Sequence, residues 1–127
     1  MPPIDATGVN AIPWSVVTET TVDRRYRPTF PKYLRELNGK TINLHGYMQP
    51  LGEDLEAASF LFIENPVGCW FCEMPDITGI IRVELAAGKT QTYTRSALKV
   101  TGKLRLNEND PENFLYTIGE ATVADAE

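Results

Sequence analysis

This chain of 127 residues has one histidine, two cysteines and no apolar run of the roughly 18 to 20 residues needed to cross a bilayer. Acidic or basic residues interrupt every candidate segment, which excludes a membrane-spanning helix. Lys and Arg number 12 against 17 Asp and Glu, a formal net charge of −5. Partners held mainly through phosphate, nucleic acid above all, are disfavoured, because counterion release needs clustered cations. A single histidine and the lack of a Gly-x-Ser-x-Gly elbow leave no hydrolytic triad, and no glycine-rich loop is built to cradle a phosphate. Internal repeats and low-complexity tracts are also missing. Met1-Pro2-Pro3-Ile4-Asp5-Ala6-Thr7-Gly8 lacks the basic start and apolar stretch of a secretory signal, so nothing in these residues directs export. A chain cut after a leader would read the same way.

What remains is an ordinary globular composition, 43% hydrophobic and 23% charged, at the size of one domain that needs no metal or disulfide to build its core. Residues 1–30 hold Pro2, Pro3, Pro13 and Pro28 and read as an extended arm with at most one short edge strand. Its apolar anchor, Ile12-Pro13-Trp14-Ser15-Val16-Val17, is expected to dock on the domain of residues 31–124. Pro31 followed by Tyr33, Leu34 and Leu37 on one face, with Asn38-Gly39 as a stop, predicts one short helix.

From Lys40 the hydrophobic period changes to two. Ile42, Leu44, Gly46 and Met48 face one way, and Thr41, Asn43, His45 and Tyr47 the other. Ser59–Ile63 is a continuous apolar run, the pattern of a strand buried on both faces. Ile80–Leu85 is a third strand, and Leu98, Val100, Gly102, Leu104 and Leu106 alternate with polar residues in a fourth. Phe114–Ile118 opens a fifth, with Gly119 marking a bulge. Five strands with almost no helix predict an all-β fold, a small OB-like barrel bent at Gly46 and Gly102, with a small β-sandwich as the alternative.

The unusual chemistry lies between the second and third strands, in Gly68-Cys69-Trp70-Phe71-Cys72-Glu73-Met74-Pro75-Asp76. Two thiolates at this spacing grip one soft metal ion or close a reversible disulfide. A zinc site needs further ligands, and the chain offers His45, with Glu73 and Asp76 as nearby carboxylates. By alternation His45 sits opposite Leu44 and Gly46, where a histidine is more often solvated or at an edge than a ligand. Thiol–disulfide exchange needs a depressed thiol pKa, and the neighbouring acids work against it. A structural disulfide, or two thiols packed with Trp70 and Phe71, is the plain alternative. Trp70, Phe71 and Met74 form either a partner contact or a lid folded onto the core. Lys99, Lys103 and Arg105, with Tyr47 and Tyr116, imitate a basic and aromatic binding face, but the acidic total favours reading it as a solvated face.

Ile12-Pro13-Trp14-Ser15, Leu37-Asn38-Gly39-Lys40, Gly46-Tyr47-Met48-Gln49-Pro50-Leu51, Phe60-Leu61-Phe62 and Gly68-Cys69-Trp70-Phe71-Cys72 together resemble the bacterial DUF3299 family, over roughly residues 12 to 123. After Cys72 the run Glu73-Met74-Pro75-Asp76-Ile77-Thr78 replaces the prolines and asparagine of that family. The resemblance implies an exported, periplasmic protein without enzymatic activity, associated with transport components that supply zinc. It makes a zinc-class ion held by Cys69, Cys72 and His45 the expected cofactor and a transport-associated protein the expected partner. The runner-up is a protein-interaction module whose cysteines form a structural disulfide.

Overall fold

In the computed structural model, residues 4–5, 7–25, 27–52, 56–66, 75–110 and 113–125 are described. Five strands dominate: β4 (Thr41–Gln49), β6 (Ser59–Ile63), β7 (Ile80–Leu85), β9 (Leu98–Leu106) and β10 (Tyr116–Asp125). They run β4-β6-β7-β10-β9, and β9 returns to β4, closing the sheet into a barrel. Every barrel pairing is antiparallel except β7 with β10, which is parallel. Written by barrel position the order is 1-2-3-5-4-1, so the expected OB-like barrel is the observed fold and the sandwich alternative falls.

Period-two patterning explains each wall. Along β4 the buried positions are Ile42, Leu44, Gly46 and Met48, and along β9 they are Leu98, Val100, Gly102 and Leu104. With Phe60, Phe62, Ile81, Val83, Tyr116 and Ile118 they fill one interior cluster. Tyr116 is therefore a core residue, which corrects its assignment to an outer aromatic face. Its parity with Ile118 places both inside.

Gly46 and Gly102 stand where barrel walls approach too closely for a side chain. A Cβ on Gly46 would lie 2.6 Å from the Ile63 carbonyl oxygen, and one on Gly102 would lie 2.6 Å from Ile118 Cγ2 and 2.7 Å from the Gly119 carbonyl oxygen. The β10 ladder breaks between Gly119 and Thr122, with Glu120 at φ 51°, which is the expected bulge. β6 is buried on both sides. Phe60 and Phe62 point inward, and Leu61 and Ile63 join Ile80 in a second cluster on the outer wall, covered in part by Tyr47 and Phe114.

The arm is more structured than one edge strand. It contains β1 (Asn10–Ala11), α1 (Trp14–Val17) and a small hairpin of β2 (Thr21–Val22) with β3 (Pro28–Thr29). The described helices are therefore two, α1 and α2 (Lys32–Glu36), rather than one. β6 pairs only with residues Tyr47–Gln49 of β4, so the first half of β4 has a vacant edge, and β1 pairs there in parallel with Ile42 and Asn43. Ile12, Trp14, Val16, Val17 and Phe30 join the interior cluster, so the apolar anchor docks as expected. At about 1.5–3 kcal/mol for each large apolar side chain buried, that docking outweighs the weak propensity of so short a helix. β5 (Glu56–Ala57) and β8 (Gln91–Thr92) form a separate two-stranded flap. Among the described residues, no helix is long and apolar enough to cross a membrane.

Candidate functional site

Ile63 ends β6, Ile80 begins β7, and the two are direct partners in the ladder. The loop of residues 64–79 therefore leaves and re-enters the barrel at one point. Residues 67–74, which include Cys69, Trp70, Phe71, Cys72, Glu73 and Met74, lie outside the described residues; the two feet of the loop, 64–66 and 75–79, are described.

The returning foot is held from inside. The returning foot ends in a single 3-10 turn, Ile77–Gly79, closed by the Gly79 N–H donating to the Asp76 carbonyl at 2.8 Å. The phenolic oxygen of Tyr116 lies 2.9 Å from the Thr78 carbonyl and 2.9 Å from the Val17 carbonyl, the last residue of α1. A hydroxyl has one proton, so the two acceptors share a donor that water does not reach. Burial pushes the Tyr116 pKa up to about 12, so the phenol stays protonated and able to donate at any ordinary pH. Burial outweighs the opposing influence of the buried Thr20 hydroxyl beside the phenol.

His45 lies two residues before Tyr47, and Tyr47 is the ladder partner of Ile63, the residue from which the loop departs. Its side chain is exposed on the outer wall, as the alternation predicts. Its carbonyl accepts a 2.6 Å hydrogen bond from the Trp14 indole N–H, which occupies the gap along β4 between β1 and β6. Trp14 was legible as an apolar anchor. Its second task, fixing the backbone at His45, depends on a contact 31 residues away that no local pattern displays.

Glu64 and Asp76, one on each foot, are exposed. They border an open depression of about 400 Å³ together with Thr18, Asn65, Pro75 and Thr78. Among the described residues no group of three or more His, Cys, Asp and Glu stands close enough to hold a metal. The structure brings His45, Glu64 and Asp76 to strands and feet around the loop's root.

The basic residues of β9 occupy the outer wall. Lys99 is the cross-strand partner of His45, Lys103 of Thr41 and Arg105 of Thr117. Tyr47 shares that outer wall, and Tyr116 does not.

Comparison with known proteins places this geometry. No curated protein matches the chain. It is similar to a crystal structure of a DUF3299 family protein, PA4066, from Pseudomonas aeruginosa PAO1, at 19% identity and a TM-score of 0.54, over 79% of this chain and 69% of that one. At that identity the likeness speaks to the fold. Residues 16–124 match the family described as protein of unknown function DUF3299, and the chain belongs to that family.

Proposed function

We propose that this protein is a non-enzymatic accessory domain that binds zinc or a similar soft divalent ion at the loop between β6 and β7. Cys69 and Cys72 supply two thiolates and His45 one imidazole, and Glu64, Asp76 or a water completes a four-ligand set. The observation carrying this reading is the Cys-x-x-Cys spacing on a loop rooted at Ile63 and Ile80, with the chain's one histidine exposed two residues from the partner of Ile63. Donor chemistry supports it as well, since two thiolates with an imidazole suit zinc better than calcium or magnesium. The periplasmic setting and transport-associated partner implied by the family resemblance belong to the same reading.

The test is elemental analysis of the purified protein together with a free-thiol count in denaturant. One zinc per chain with two thiols, lost in Cys69→Ser and Cys72→Ser and weakened in His45→Ala, is the expected result. Metal affinity unchanged by the cysteine substitutions would end the proposal. No free thiols and no metal would favour the runner-up, an interaction module clipped by a disulfide.

A further inference from the structure

The helix α1 touches both halves of the proposed metal site and belongs to neither. At its start, the Trp14 indole N–H donates to the His45 carbonyl at 2.6 Å. At its end, the Val17 carbonyl shares the Tyr116 hydroxyl with the Thr78 carbonyl of the returning foot, at 2.9 Å each. Thr18, which closes the helix, borders the depression onto which Glu64 and Asp76 open. One short segment therefore joins the strand that carries His45 to the foot that carries Asp76.

That segment has little stability of its own. An isolated helix shorter than roughly 12 to 15 residues is marginal in water, and α1 has four. Pro13 at its N-cap provides no side-chain hydrogen bond, and no acid stands in its first turn. Its place is kept by burial of Trp14, Val16 and Val17 and by the bonds to His45 and Tyr116. A helix kept by docking has two states, docked and released, and such an element opens locally before a barrel does. Release acts on the metal site from both sides. It strips the His45 carbonyl of its indole donor, and it leaves Thr78 alone with a hydroxyl proton that two carbonyls had shared.

We infer that docking of α1 and binding of zinc at Cys69, Cys72 and His45 are coupled, the docked arm raising affinity for the ion and the ion holding the arm down. The inference rests on the metal reading above. Such coupling is reciprocal, because an ion that binds the docked state more tightly draws the helix into that state by the same factor. The arm thereby becomes the handle on the ion: whatever lifts α1 from the barrel loosens the metal.

The test is amide hydrogen exchange, followed by NMR on the full chain, with and without one equivalent of zinc. The Thr18 and Thr20 amides, which donate to the Trp14 and Val17 carbonyls, report on α1. The Gly79 amide, which donates to Asp76, reports on the foot, and the Asn107 amide, which donates to Leu115 at the end of β9, is the control. Zinc is expected to slow exchange at Thr18, Thr20 and Gly79 by about 10-fold and to leave Asn107 unchanged. In Tyr116→Phe, which removes the donor shared by α1 and the foot, the slowing at Thr18 should shrink while one zinc per chain is still bound. Trp14→Phe, which removes the bond to His45, carries the test if the first variant fails to fold. Slowing at Gly79 with Thr18 and Thr20 indifferent to the ion would overturn the coupling and leave the metal reading standing. Equal slowing at Asn107 would reduce the effect to general stabilisation and overturn it too. A wild-type chain that binds no zinc would remove the metal reading and the coupling together.

Discussion

The hydroxyl of Tyr116 sits 2.9 Å from the carbonyl oxygen of Thr78, so a strand in the middle of the barrel holds the returning foot of the Cys-x-x-Cys loop. The same oxygen reaches Val17, and the arm and the loop share one buried donor.

Removing that donor while keeping the ring isolates its contribution. Tyr116→Phe should cost about 1–3 kcal/mol, because two buried carbonyls lose their partner. Urea unfolding gives the loss, and hydrogen exchange at Gly79 and Thr18 should accelerate more than exchange in β4. Uniform acceleration would mean that the hydroxyl anchors nothing in particular.

The same phenol makes stability depend on alkaline pH. Its folded pKa is raised to about 12 from an ordinary value of 10.0. Folding therefore favours the protonated form, and the contribution is complete below pH about 10 and disappears as pH rises through about 12. A fall on the order of 1–2 kcal/mol across that window, absent in Tyr116→Phe, is the expected urea-midpoint profile.

Trp14→Phe retains most of the apolar bulk and deletes the N–H that holds the His45 carbonyl. A stability loss of about 1–3 kcal/mol is expected, from one orphaned acceptor and a smaller ring. If His45 ligates the metal, zinc affinity should fall in this variant as well, measured by competition with a chromogenic chelator. Unchanged affinity with reduced stability would confine Trp14 to packing.

Gly102→Ala places a methyl 2.6 Å from Ile118 Cγ2 and 2.7 Å from a backbone oxygen, neither able to withdraw freely. A cost of about 1–3 kcal/mol or more is expected from overpacking. Gly52→Ala, where a Cβ meets nothing within 4 Å among the described residues, serves as the control and should change the thermal midpoint little.

These positions differ in how openly the sequence declares them. Alternation along Thr41–Gln49 and Leu98–Leu106 gives both strands and their inner faces, because a half-buried strand writes its exposure into every second residue. The same rule puts His45 outside and, applied to β10, would have put Tyr116 inside beside Ile118. Barrel closure and the parallel β7–β10 pair are relations between distant segments, and no local period reports them. β1, β2, β3, β5 and β8 are two residues each, too short for any period, and exist because neighbouring edges supply their hydrogen bonds. The candidate metal ligands were legible as residue types. What the sequence withheld is the hold of Tyr116 on the returning foot and on α1, and of Trp14 on the His45 carbonyl, contacts spanning 31 to 99 residues.

β10 lies between β7 and β9, so the barrel strand that comes latest in chain order is covered on both edges. Until residues 116–125 arrive, the edges of β7 and β9 that they cover stay unpaired and the interior stays open to water. Barrel closure therefore waits on residues 116–125, and a chain clipped before them exposes two sticky edges at once.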